Sequence, residues 1–446
     1  MTRLRELAER APPGRERQVD LLRAVAITAV VTGHWLLIVV EPTDGGLVGH
    51  SALAELAWAY PLTWLFQVMP VFFMVGGFAN AASLASHRRA GRPATGWLLD
   101  RSARLVPPTT ALLVALAAGA LVSRVAGADP DLIGTAVWLA SLPLWFLVVY
   151  LGMVFLTPVT HALHRRAGLA VPVLLLLPVL AGDVLRLRYG EEAFGYGNFL
   201  FAWLAIHQTG YCWQDGRLPA RPRYAVPVLA GGAAALVGLT LLGPYPVSMV
   251  TVPGAAVQNS SPPTLALVAL ATTQLGLVLL VRNPVERWLR RTGPWTVVVA
   301  VNTVVLTLFL WHMGAAVIAT AGLYLTGLLP SPPVGSAAWL WWRIPWLAIL
   351  AVVLAGLVAV AGRIETRTGA PRPGPTLPLR LADGLRHDRP RAVVVTGGYL
   401  AAMLGLLWQA AAGDAYHGPF GLPTGSLVLF LAGAGALWLA RSARAR

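Results

Sequence analysis

Apolar runs of about 20 residues, each long enough to cross a bilayer core as a helix, recur from one end of this chain to the other. Twelve are marked, near Leu21–Val40, Leu62–Leu84, Leu105–Val125, Ala136–Thr157, Leu169–Leu187, Phe199–Trp213, Ala225–Leu242, Leu265–Val281, Thr296–Leu325, Ala338–Ala361, Ala392–Ala412 and Leu427–Ala440. The sixth and the last are the shortest. Gly45–Tyr60, apolar but broken by Gly, His and Glu, reads as an outside loop, re-entrant or interfacial. Soluble domains carry about 25% charged residues. This chain carries 12% and is 57% hydrophobic, so its polar residues cannot build a sizeable aqueous domain. The predicted fold class is all-α: a polytopic transmembrane helix bundle of about 12 spans.

The charges orient the spans. All 34 basic residues are Arg, and the formal net charge is +15. A nucleic-acid binder can show such a balance, but here the Arg residues sit between apolar runs, which is a topology signal. With the N-terminus inside and strict alternation, 30 Arg fall inside and only Arg124, Arg186, Arg188 and Arg343 fall outside. The outside also collects nine acids: Glu41, Asp44, Glu55, Asp129, Asp131, Asp183, Glu191, Glu192 and Asp414. Both termini are therefore expected in the cytoplasm of a multi-pass plasma-membrane protein, with the lipid bilayer as partner and no nucleic acid. Met1–Val19 has mixed charge and no apolar core, unlike a cleavable signal peptide. Cys212 stands alone, so no internal disulfide or Cys-based metal cluster is expected.

Arg363–Arg391, with seven Arg and the run Ala370-Pro371-Arg372-Pro373-Gly374-Pro375, reads as a basic cytoplasmic linker. It separates a core of residues 1–362 from a two-helix hairpin, residues 392–446. No internal repeat of the transporter kind, no Walker loop and no dinucleotide-binding glycine motif is found.

The first span carries the most chemistry. Arg23 and His34 lie eleven positions apart, and eleven helical steps turn through about 1100°, three turns plus roughly 20°. The two side chains share a face, separated by a rise of about 16 Å. With Arg23 at the cytoplasmic surface, His34 is expected near mid-membrane, where an ionisable residue is costly and a functional candidate. A histidine there can take and return a proton. The competing reading is a neutral His bonded to a neighbouring helix, with Arg23 a topology anchor.

Five motifs in order resemble the acyltransferase-3 family of integral membrane O-acyltransferases. Asp20, Leu22, Arg23 and His34 match its Arg, ten residues, His hallmark. Met69-Pro70-Val71-Phe72-Phe73-Met74-Val75-Gly76-Gly77-Phe78 follows, with Gly76 where the family often has Ser, so no hydroxyl role carries over there. Arg101-Ser102-Ala103-Arg104-Leu105-Val106-Pro107-Pro108, Leu144-Trp145-Phe146-Leu147 and Leu310-Trp311-His312 complete the set. The resemblance spans Gln18 to Ala361. It implies transfer of an acyl group, commonly acetyl, from cytoplasmic acyl-CoA to a hydroxyl of a glycan, glycolipid or similar acceptor. His34 would be the general base, with Arg23, at the inner end of the helix, also in the catalytic set and close enough to help bind the donor phosphates. No metal or permanently bound cofactor is implied; acyl-CoA is the donor substrate.

Arg101 and Arg104 are the expected ligands of the donor phosphates. They lie three positions apart, on one helix face, and a helix beginning near Arg101 would add its positive dipole end; the alternative is a pair of topology anchors. Trp145 and His312 are candidate substrate-binding residues. His312, about sixteen residues into its span, has a packing role as its alternative, and His207 is read as packing. Asp183 and Arg186 are expected to pair on one helix face. Trp339, Trp341 and Trp342 are expected to form an interfacial belt. A transporter or flippase of a lipid-linked or small hydrophobic substrate is the rival reading.

Overall fold

The computed structural model describes residues 15–43, 46–367, 387–413, 416 and 418–444. Its longer helices are α1 (Arg17–Leu37), α2 (Met69–Arg89), α3 (Ala94–Val125), α4 (Pro130–Ser141), α5 (Leu144–Ala167), α6 (Ala170–Tyr189), α7 (Asn198–Gln214), α8 (Pro222–Val237), α9 (Leu265–Trp288), α10 (Thr292–Thr303), α11 (Val305–Leu325), α12 (Ala337–Arg367), α13 (Asp388–Ala411) and α14 (Thr424–Arg444). A two-stranded hairpin, β1 (Ile38–Thr43) and β2 (Gly46–Ser51), follows α1, and short helical turns occupy much of 52–66. The expected all-α membrane bundle is the fold observed.

Among the described residues, eleven segments are long and apolar enough to cross a membrane. The one expected span not among them is the sixth, Phe199–Trp213, which corresponds to α7 and at 17 residues is short for a crossing, close to the lower limit of about 17. Two expected spans are interrupted. Ala136–Thr157 divides at Leu142–Pro143 between α4 and α5; Leu142 keeps helical dihedrals, but Pro143 has no N–H to continue the hydrogen-bond ladder. Thr296–Leu325 divides at Val304 between α10 and α11. The amide groups freed at that break are taken by Glu365, whose carboxylate accepts from Leu306 N at 3.1 Å and Thr307 N at 2.8 Å. Most of the expected linker, 368–386, lies outside the described residues, as do Asp44 and Asp414.

The helices gather into two compact units. The first draws on Met1–Val39, His50–Ala85 and Leu156–Thr303. Its helices approach closely at glycines, as membrane helices do where side chains are small. A Cβ at Gly77 of α2 would stand 2.0 Å from His207 O, and one at Gly210 of α7 would stand 2.1 Å from Met74 O, so only glycine fits at either position. Gly232 of α8 and Gly276 of α9 make the same kind of crossing with Thr273 and Leu229.

The second unit draws on Val40–Gly49, Ser86–Phe155 and Val304–Arg446. The C-terminal helices pack into it: Gly398 and Gly405 of α13 lie against Leu437 and Phe430 of α14, and the Tyr399 hydroxyl donates to Leu98 O of α3 at 2.7 Å. Of the three tryptophans expected at an interface, Trp341 is exposed, but Trp339 turns inward, its ring 4.3 Å from the Arg343 guanidinium.

Candidate active site

On α1 the face shared by Arg23 and His34 is the packed face. Ile27 and Val30 lie between them, 3% and 9% exposed, and both ends of the stripe are half-buried. The helix starts at Arg17 and ends at Leu37, so His34 sits in its last turn. That is closer to the far end of the helix than the mid-span depth expected from a run of Leu21–Val40.

The other end of α1 is anchored by polar contacts within the first unit. Asp20, 5% exposed, accepts from Arg15 Nε at 2.6 Å and from Arg23 Nη1 at 3.3 Å. Asn302 of α10 donates to Asp20 O at 2.9 Å and accepts from Arg23 Nη1 at 3.5 Å. The first amides of a helix lack intrahelical acceptors, and here Gln18 N donates to the Glu286 carboxylate at 2.7 Å. Arg17 donates to Leu289 O at 2.6 Å, with its guanidinium 4.8 Å from the Trp295 ring. Asp20 holds the Arg15 guanidinium charged, above its ordinary range, through the hydrogen bond and against partial burial.

These contacts frame an open cleft of about 460 Å³ lined by Arg15, Glu16, Arg282, Asn283, Glu286, Arg287 and Arg290. Arg282 is neutralised by Glu16 at 2.6 Å. Arg287 and Arg290, both exposed, form no ion pair among the described residues. The cleft is thus a concave surface at which Arg287 and Arg290 are exposed cations.

The remaining candidates lie in the second unit. Arg101 is half-buried with its guanidinium 5.2 Å from the Trp97 ring, while Arg104 is exposed. The helix carrying them begins at Ala94, seven residues before Arg101, about 10 Å along the axis. The positive end of a helix dipole fades within the first turn, so the dipole contribution expected at this pair does not apply. Trp145 is the second residue of α5, immediately after the Pro143 break. Its ring meets Phe146 edge-on at 6.4 Å, Phe146 meets Phe309 at 5.0 Å, and Phe309 lies 5.9 Å from the ring of His312. Trp145 and His312 are thus brought to one aromatic cluster. His312 is fully buried, its Nδ1 2.6 Å from Phe309 O, and it is the eighth residue of α11 rather than about the sixteenth of an unbroken span.

Two buried polar clusters join residues whose association the sequence does not show, although His207 and the Asp183–Arg186 pair, 4.0 Å apart, are singled out there. In one, the Tyr211 ring lies 5.1, 5.6 and 5.5 Å from His207, His161 and His164, and His164 Nε2 is 2.8 Å from Asp215 Oδ2. His207 Nε2 is 3.2 Å from Asn80 Nδ2. In the other, Asp183 gathers Asn198, Tyr245 and Leu265 N. Spacings of three and four along α5, α6 and α7 were visible, but which helices face one another was not.

The structure is that of a many-span helical bundle with ionisable groups on the packed face of its first helix. A family model described as an acyltransferase domain, that of the acyltransferase-3 family, matches residues 16–363, and the chain belongs to that family. Comparison with curated proteins and with solved structures returns no match.

Proposed function

We propose that this acyltransferase moves an acyl group, acetyl by default, from cytoplasmic acyl-CoA to a hydroxyl of a glycan, glycolipid or similar acceptor. His34 takes the proton of the acceptor hydroxyl as its oxygen attacks the thioester carbonyl. The tetrahedral intermediate collapses, the C–S bond breaks, and the departing thiolate recovers the proton from His34. One observation carries this reading: a single packed face of α1 holds His34 towards one end and Arg23 towards the other, and Arg15 and Glu16, just before the Arg23 end, line an Arg-rich cleft.

The donor phosphates are assigned to Arg101 and Arg104. A second location is favoured by the cleft, where Arg287 and Arg290 are cationic, exposed and outside any described ion pair. Binding of 3′,5′-ADP, the nucleotide end of the donor without its thioester arm, separates the two. Arg101→Ala and Arg104→Ala weaken it in the first case, and Arg287→Ala with Arg290→Ala in the second. Orientation follows the Arg distribution, with both termini cytoplasmic, and a reporter fused after Arg446 tests it.

The decisive experiment is His34→Ala. The variant should insert and fold, yet lose acyl transfer by about 100-fold or more, the scale of a lost general base. Surface glycans and lipids from cells with and without the variant are compared by mass spectrometry. Normal acylation from a well-expressed His34→Ala protein removes His34 from the mechanism.

A further inference from the structure

We propose that Arg186 is the centre of a phosphate-binding site at the end of the first unit remote from the Arg-lined cleft. Helix α9 fixes the two places relative to each other. Its first residue, Leu265, donates its amide to Asp183, and its last turns line the cleft. Arg282 and Arg287 of that helix lie 17 and 22 residues beyond Leu265, about 26 to 33 Å along the axis.

Arg186, on the last turns of α6, is 6% exposed. Its Nε and Nη2 are both buried, and neither has a hydrogen-bond partner among the described residues. These two nitrogens share one edge of the planar guanidinium, the edge that holds two oxygens of a phosphate or carboxylate in parallel. Asp183 does not supply those oxygens. It stands 4.0 Å from Nη2, beyond hydrogen-bond reach. Its own acceptors are engaged by Asn198 Nδ2 at 2.9 Å, the Tyr245 hydroxyl at 2.8 Å and Leu265 N at 2.8 Å. Asp183 therefore balances the arginine's charge and leaves its buried fork without an acceptor among the described residues.

The fork is held in place from behind. A Cβ at Gly195 would stand 3.2 Å from Arg186 Cδ and 2.7 Å from Pro262 Cγ, so the backbone at 195 packs directly on the arginine stem. A buried charged donor without an acceptor is destabilising, and two on the same edge describe a site for an oxyanion. In the proposed topology this end of α6 faces away from the cytoplasm, at the depth of lipid headgroups. As a statement about the acyltransferase, the inference rests on the reading above: the site anchors an acceptor through its phosphate. The binding itself does not depend on that reading.

The test uses the full chain purified in detergent, with inorganic phosphate and dioleoyl phosphatidate as probes and dioleoylglycerol as the uncharged control. The unfolding midpoint is followed against probe concentration. A saturable stabilisation is expected from at least one probe. Phosphatidate alone identifies a lipid headgroup, and inorganic phosphate alone identifies a soluble anion. Arg186→Lys keeps the charge but loses the fork, and should weaken the apparent affinity about tenfold or more, the scale of one lost charge-assisted hydrogen bond. Arg287→Ala with Arg290→Ala should leave that affinity unchanged. If Arg186→Lys does not accumulate, Asp183→Asn with Arg186→Gln removes both buried charges together and should abolish the response. The proposal is overturned if neither probe stabilises the protein, if the Arg186 variants respond like the parent, or if the cleft variant removes the effect. Loss of acyl transfer in His34→Ala leaves this measurement unaffected, so the two readings fail separately.

Discussion

At the cleft end of the first unit, charges meet at the margin of water: Arg15, 43% exposed at its side chain, reaches Asp20, and Arg287 and Arg290 extend without a described partner. At the other end, Asp183 is fully buried beside an arginine 6% exposed and a buried tyrosine. Exposed ion pairs are weak and interchangeable, so the cleft end can exchange its contacts for those of a ligand. Buried charges are tolerated only when matched and hydrogen-bonded, so the Asp183 end is fixed in geometry. The contrast is between an end whose exposed charges can change partners and a built frame in which the buried edge of Arg186 has no acceptor among the described residues.

The largest effect should come from breaking that frame. Asp183→Ala leaves Arg186 buried without a counter-charge and strips acceptors from Tyr245, Asn198 and Leu265 N. A cost of about 3–5 kcal/mol is expected, read as a large fall in unfolding midpoint or failure to accumulate. A cost below about 1 kcal/mol, the range of exposed pairs, would erase the contrast.

A smaller effect is expected from alkaline pH. Burial first, and then the neighbouring Asp183, raise the Tyr245 hydroxyl above its ordinary range, which is near pH 10. The unfolded chain then loses this proton while the folded protein keeps it. Stability is fully present below the unfolded value and falls as pH rises past it, by up to about 1.4 kcal/mol per pH unit from this group. The chain has no lysine, and arginine stays charged there, so tyrosines dominate the titration. Tyr245→Phe should flatten the slope; an unchanged slope would show that Tyr245 is not held neutral by the fold.

Asp20→Ala should cost less than either, about 1 kcal/mol or below, because its partners are partly in water. Its companion Asn302 keeps its bond to the backbone oxygen of residue 20. Loss of the whole fold in Asp20→Ala would mean that the cleft end is as rigid as the other.

The bundle was legible because bilayer-length apolar runs and Arg asymmetry are written locally along the chain. The Arg23–His34 face was legible because helical periodicity alone fixes it, and Ile27 and Val30 buried between them carry that face into the packing. The breaks at Pro143 and Val304 were less so. A proline inside an apolar run is ambiguous in membrane helices, and the Val304 break is capped by Glu365, 61 positions away. The cleft was unreadable for the same reason: Arg15 and Arg290 come from opposite ends of a long stretch of sequence, and only packing of α1 on α9 and α10 joins them. The three-residue spacing predicts that Arg186 pairs with Asp183, and the two stand 4.0 Å apart. That Asp183 would be engaged by a tyrosine, an asparagine and a distant amide is a tertiary fact.

The smallest expected effect on the fold, and the sharpest on the comparison, belongs to Arg287→Ala with Arg290→Ala. Both side chains are exposed and form no ion pair among the described residues, so their removal should change stability by no more than about 0.5 kcal/mol. Their effect should appear in binding. Two cations facing a polyanion contribute mainly through long-range attraction, which salt screens over about 8 Å at physiological ionic strength. The parent should therefore bind 3′,5′-ADP more weakly as salt rises, and the double variant should bind weakly at every salt concentration with a shallower dependence. Arg287→Lys with Arg290→Lys tells charge from geometry. It should retain the salt dependence while losing the part of the affinity that comes from paired hydrogen bonds. Parent-like binding by the alanine variant would make the cleft a solvated surface and leave Arg101 and Arg104 as the residues to test for the donor.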